Sequence, residues 1–77
     1  MANSLEKNSL SGASLFARWL ESHRDEITEE NIAETLGISV PTLWRYKNGR
    51  TEPDIKKGLL IEELTNGAVP IAAWAID

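Results

Sequence analysis

The sequence predicts an all-α domain of four or five short helices. Apolar residues recur at the spacing of helix faces, hydroxyl and glycine residues punctuate the chain as helix starts and stops, and no run alternates apolar with polar residues as a half-buried strand does.

Residues 1–13 carry Asn, Ser and Gly with little apolar periodicity and are expected to form a flexible N-terminal arm, leaving residues 14–77 as the folded domain. Ser14 is expected to cap the first helix, with Leu15, Phe16, Trp19 and Leu20 on one face and Arg18, Glu21 and Ser22 on the other. Thr28 offers the next cap. Glu29 and Glu30 follow in the first turn, where carboxylates favour the helix dipole, and Ile32, Ala33 and Leu36 make the inward stripe. Gly37 supplies the left-handed residue that ends this helix. Ile38 is expected as a buried turn residue, Ser39 as the cap of a third helix and Pro41 as its preorganised first turn, with Leu43 and Tyr46 facing inward. Asn48-Gly49 stops that helix, and Pro53 opens a fourth from Asp54 to about Thr65. There Leu59, Leu60 and Ile61 are consecutive, so they cannot all face one side. Asn66-Gly67 turns the chain into a nearly wholly apolar segment, Ile71 to Ile76.

A chain of 77 residues has room for one compact domain and none for two lobes around a deep cleft. Cysteine is absent and His23 is the single histidine, so neither a thiolate nor a histidine cluster can be assembled, and no metal or cofactor is expected. His23 itself is expected at the surface or at the end of the first helix. No nucleophile and base pair or phosphate-cradling glycine loop stands out, which argues against an enzyme and against a small-molecule substrate. The longest apolar stretch, Ala68 to Ile76, falls well short of the roughly 20 residues that span a bilayer. The N-terminal residues lack the basic start and apolar run of a signal peptide, so a soluble, cytoplasmic protein is expected.

The formal net charge is −4, but the charges are segregated. Between Glu21 and Glu34 the acids Glu21, Asp25, Glu26, Glu29, Glu30 and Glu34 meet only Arg24, whereas between Arg45 and Lys57 the bases Arg45, Lys47, Arg50, Lys56 and Lys57 outweigh Glu52 and Asp54. A domain so polarised can turn a basic face to phosphate and an acidic one to water; a salt-bridged solvated surface gives the same pattern.

The informative stretch runs from Thr28 to Arg50, TEENIAETLGISVPTLWRYKNGR, two short helices separated by Gly37-Ile38-Ser39. Gly37 permits the sharp turn that sets such a pair at about 90–120°, and Ala33 is small enough for the next helix to cross closely. With Ile32, Leu36, Ile38, Leu43 and Tyr46 burying the junction, the outward residues of the second helix stay free.

This stretch resembles the Xre-type helix-turn-helix family of Cro and phage-repressor-like regulators, through Ile32-Ala33, Leu36-Gly37-Ile38-Ser39, Thr42-Leu43, Arg45-Tyr46, Asn48-Gly49-Arg50 and Pro53. Residues Ile61 to Pro70 are similar to the tail of small Cro-like and YdaS-like members, so the resemblance covers residues 14–70. It implies a compact four- to five-helix lambda-repressor-like DNA-binding domain, acting as a homodimer on a pseudo-palindromic operator and expected in a phage or prophage switch as a repressor. Carried over by position, Val40, Pro41, Thr42, Trp44 and Arg45 of the helix 40–48 would read bases in double-stranded DNA. Arg45 has the fork that pairs with guanine O6 and N7, and Thr42 or Val40 could touch a thymine methyl. Thr28, Lys47, Asn48, Gly49 and Arg50 would meet phosphates. Two positions depart from the family. Glu29 stands where a glutamine is common, placing a carboxylate beside phosphate, and Trp44 stands where a small or polar residue is common.

The apolar tail has two readings. Ile71, Trp74 and Ile76 are expected to form the dimer interface, since an exposed apolar segment is a liability for a monomer of this size; the alternative is closure of the domain's own core. A different functional class also fits the residues: a protein-interaction module, such as an antitoxin or a transcription-factor antagonist, with Trp44 and the tail as its contacts and net acidity discouraging DNA.

Overall fold

Four helices, each started by a side-chain oxygen, make up the computed structural model, which describes residues 11–75. They are α1 (Gly12–Ser22), α2 (Glu29–Leu36), α3 (Val40–Lys47) and α4 (Ile55–Leu64), followed by a 3₁₀ turn (Ile71–Ala75); no strand occurs among the described residues. Ser11, Thr28, Ser39 and Asp54 are the caps, and each accepts the N–H of the third residue of its helix: Ser14, Asn31, Thr42 and Lys57. The first cap is therefore Ser11 and not Ser14. Residues 11–13 belong to the domain, and the remainder of the expected arm, residues 1–10, lies outside the described residues.

Three helix ends repeat one device. Gly37 (φ 73°), Gly49 (φ 74°) and Asn66 (φ 58°) take the left-handed conformation after α2, α3 and α4. The residue that follows each donates its N–H back to a carbonyl five positions earlier: Ile38 to Ala33 at 2.9 Å, Arg50 to Arg45 at 2.8 Å and Gly67 to Glu62 at 2.9 Å. The paired bonds satisfy carbonyls that the helix leaves open, so the turns are set by backbone geometry and not by loop length.

Helix α1 packs on α3 and on the 3₁₀ turn, α2 packs on α3 and α4, and α4 packs on the 3₁₀ turn. Phe16, Leu20, Ile32, Ala33, Leu36, Leu43, Tyr46, Ile61, Val69 and Trp74 fill the space between them. Ile38 is half-buried against this core, less enclosed than the sequence suggested. Among the three consecutive apolar residues of α4 only Ile61 is buried, while Leu59 and Leu60 are exposed. Thr65 satisfies its buried hydroxyl locally, donating to the Ile61 carbonyl at 2.8 Å and accepting the Val69 N–H at 3.1 Å.

Trp74 is a core residue, 8% exposed. Its ring meets Phe16 and Tyr46 edge to face, with centroids 6.2 and 6.4 Å apart. Gly12 and Gly58 make room for the closing turn. A Cβ on Gly12 would fall inside the Trp74 indole, and one on Gly58 would stand 3.1 Å from Ile71 Cγ1. The expected use of Trp74 in a dimer interface is thus corrected: its surface is consumed within the chain, and closing the core is what the apolar tail does. Ile71 is half-buried in the same turn, and Ile76 lies outside the described residues. The indole N–H finds no acceptor among the described residues, a penalty of about 1–3 kcal/mol that burial of the ring must outweigh. Burial also raises the pKa of the Tyr46 phenol beside it, with the Asp54 carboxylate adding to the effect. No helix among the described residues is long and apolar enough to cross a membrane.

Candidate nucleic-acid interface

The periodicity of α3 decides which of its side chains can meet a partner. Leu43 and Tyr46 point into the core and fix the roll of the helix, so Val40, Pro41, Trp44 and Arg45 form the opposite, solvent-exposed face. Trp44 is 55% exposed. These four residues line one shallow concavity together with Arg50, which the backward turn after Gly49 returns to the Arg45 carbonyl. Two guanidinium groups thus flank an apolar floor of valine, proline and indole. Neither arginine has an ion-pair partner among the described residues.

Thr42 is engaged by the cap of its own helix. It lies at the edge of this face, half-buried, with its N–H on Ser39 Oγ at 3.2 Å and its hydroxyl 2.9 Å from the Ser39 hydroxyl. Its N–H and hydroxyl thus serve the cap of α3.

The residues expected to hold phosphate divide in the same way. Thr28, Lys47 and Asn48 line a second groove, between the end of α1, the start of α2 and the end of α3. Thr28 spends its oxygen as an acceptor for Asn31 N–H at 3.1 Å, which leaves the hydroxyl proton to donate outward. Asn48 donates one amide N–H to the Trp44 carbonyl at 2.8 Å, which leaves its second N–H to donate and its side-chain oxygen to accept. Gly49 and Arg50 are exposed. Lys47 is the correction. Its Nζ lies 2.7 Å from Glu29 Oε2, an ion pair that joins the end of α3 to the first turn of α2 with both side chains partly enclosed. The carboxylate set beside the interface is thus neutralised by the very base expected to reach phosphate.

Glu21 and Glu29 line this groove too. Arg24, the base among them, pairs with Glu21 at 3.0 Å, and that bond raises its already high pKa. His23 closes α1, stacked on Trp19 with ring centroids 4.2 Å apart and Nδ1 2.9 Å from the Trp19 carbonyl. It belongs to the helix end and takes no part in the α3 face. Reasoning from sequence missed that Arg50 joins Trp44 and Arg45 in one concavity and that Lys47 is taken. Nothing local signals the Lys47–Glu29 pair, because it depends on the crossing of two helices, whereas Arg50 is carried back by the Asn48-Gly49 turn, which the sequence did show.

Comparison with family models, with curated proteins and with solved structures returned no match.

Proposed function

We propose that this chain is a sequence-specific DNA-binding transcriptional regulator of lambda-repressor-like architecture, which lays the outer face of α3 into the major groove. One observation carries the reading: the core fixes α3 through Leu43 and Tyr46, so that Val40, Pro41, Trp44 and Arg45 stand free on a rigid helix with Arg50 beside them. Arg45 supplies the fork for a guanine edge, and the apolar floor fits a thymine methyl. Arg50, the Gly49 N–H and the Thr28 hydroxyl position the helix on phosphates. Regulation in this reading is by occupancy, as a phage or prophage repressor would act.

The exposed Trp44 beside Val40 and Pro41 favours a second reading, in which the same concavity receives a protein segment. Titration of DNA enriched from a random pool, over a salt series, separates the two. A DNA reader loses affinity with a log–log slope of about −0.9 for each phosphate neutralised, and a protein-binding module gives no such slope. Replacing Arg45 with Ala is expected to cost about 1–3 kcal/mol and relax preference at one base pair, while Arg50→Ala weakens all sequences alike. Unchanged preference after Arg45→Ala would remove Arg45 from base reading.

A further inference from the structure

The outer face of α4 is covered by nothing among the described residues. Ile55 is 74% exposed, Leu59 51% and Leu60 37%, although the other side of the helix is buried through Gly58, Ile61 and Thr65. At about 100° per residue, Ile55, Lys56, Leu59, Leu60 and Glu63 fall in one arc opposite those three.

The charges on this helix run the wrong way for the helix alone. Lys56 and Lys57 occupy the first turn and Glu62 and Glu63 the last, so bases sit at the positive end of the dipole and acids at the negative end. The inner members face the chain: Lys57, half-buried, has its Nζ near Gly37, and Glu62 Oε1 accepts the Ile71 N–H at 3.0 Å. Lys56 and Glu63 are left facing out, without an ion pair among the described residues.

We infer that α4 is the self-association surface of this protein, packing antiparallel on α4 of a second copy about a two-fold axis between Leu59 and Leu60. In that register Leu59 lies opposite the partner's Leu60, and Lys56 lies opposite the partner's Glu63. The two-fold repeats each contact, giving four leucines flanked by two ion pairs. The antiparallel arrangement turns the unfavourable order of charges into a complementary one and opposes the two helix dipoles. An unrelated partner would have no reason to match the spacing of Lys56 and Glu63, whereas a second copy matches it by symmetry. The seam is one helix wide, which places the dimer in the small, reversible class of interfaces. It shares no residue with the α3 face.

Sedimentation of the whole chain without DNA tests this, up to about 100 µM because a weak dimer forms only with concentration. The expected result is a reversible monomer–dimer equilibrium that Leu59→Glu abolishes while the helical circular dichroism is retained. Lys56→Glu and Glu63→Lys are each expected to weaken the dimer about tenfold, since symmetry doubles every attraction lost and every repulsion gained. The double variant K56E/E63K restores it to within about threefold of the starting affinity, because it rebuilds both pairs with the signs exchanged. A monomer at every concentration, a dimer indifferent to Leu59→Glu, or a double variant no tighter than the single ones would overturn the inference. DNA titration of the Leu59→Glu monomer is read separately, so failure of the α4 seam and failure of the α3 interface are distinguishable.

Discussion

Glu29 and Lys47 show how one contact can reset the reading of a site. A carboxylate in the first turn of α2 would repel DNA, and a lysine at the end of α3 would attract it; bonded at 2.7 Å they cancel. The pair is partly exposed, so it contributes at most about 1 kcal/mol to folding, and its larger effect is to withhold a cation from the interface. Glu29→Gln is expected to release Lys47, tighten DNA binding several-fold at low salt and steepen the salt dependence by about 0.9 for each protomer. Lys47→Ala then changes little in the otherwise native protein but reverses the gain in Glu29→Gln, a coupling that paired titrations measure. Equal effects of Lys47→Ala in both backgrounds would show that the lysine is not withheld. Both residues were plain in the sequence as an acid and a base. Their bond was not, because it joins side chains 18 positions apart through the crossing of two helices.

At the scale of elements, what was legible is what is local. Thr28 and Ser39 announce α2 and α3 because cap chemistry involves only the next three residues, and Gly37, Gly49 and Asn66 mark the ends because few residues tolerate positive φ. The start of α1 was read three residues late for an intelligible reason. Residues 1–13 carry Asn, Ser and Gly with little apolar periodicity, so the helix was started only where that periodicity begins, at Ser14. Gly12 is there for tertiary packing, since Trp74 lies where its side chain would be. Gly12→Ala therefore sets two terms against each other. Helix propensity favours alanine by about 1 kcal/mol, but a methyl inside an indole ring forces the 3₁₀ turn off α1, and overpacking of that kind costs about 1–3 kcal/mol or more. The expected outcome is a lower denaturation midpoint, where an unconstrained helix position would give a higher one. A gain in midpoint would place Trp74 elsewhere. The same residue explains why the apolar tail was ambiguous: composition shows that Trp74 must be buried, and only the two glycines facing it show by what.

For the molecule as a whole, the large apolar side chains left exposed among the described residues lie on the outer faces of α3 and α4, and they point to a division of labour. One is apolar and flanked by arginines; the other is apolar and flanked by one base and one acid in self-complementary order. If α3 reads DNA and α4 pairs the protomers, joining two readers raises the effective concentration of the second once the first has bound, with no new contact to DNA. The two-fold axis of the protein is then imposed on the site, as an inverted repeat with its half-sites about one helical turn, roughly 34 Å, apart or a multiple of it. Selection from random DNA is expected to enrich such a repeat with the native chain and a single half-site of the same sequence with Leu59→Glu, at much reduced affinity. The half-site must be identical in the two experiments, because Leu59 lies outside the α3 face and its loss removes the pairing without touching the reading. A repeat that persists with Leu59→Glu would move the dimer contact away from α4, and a single half-site with the native chain would show that the protomers read DNA alone.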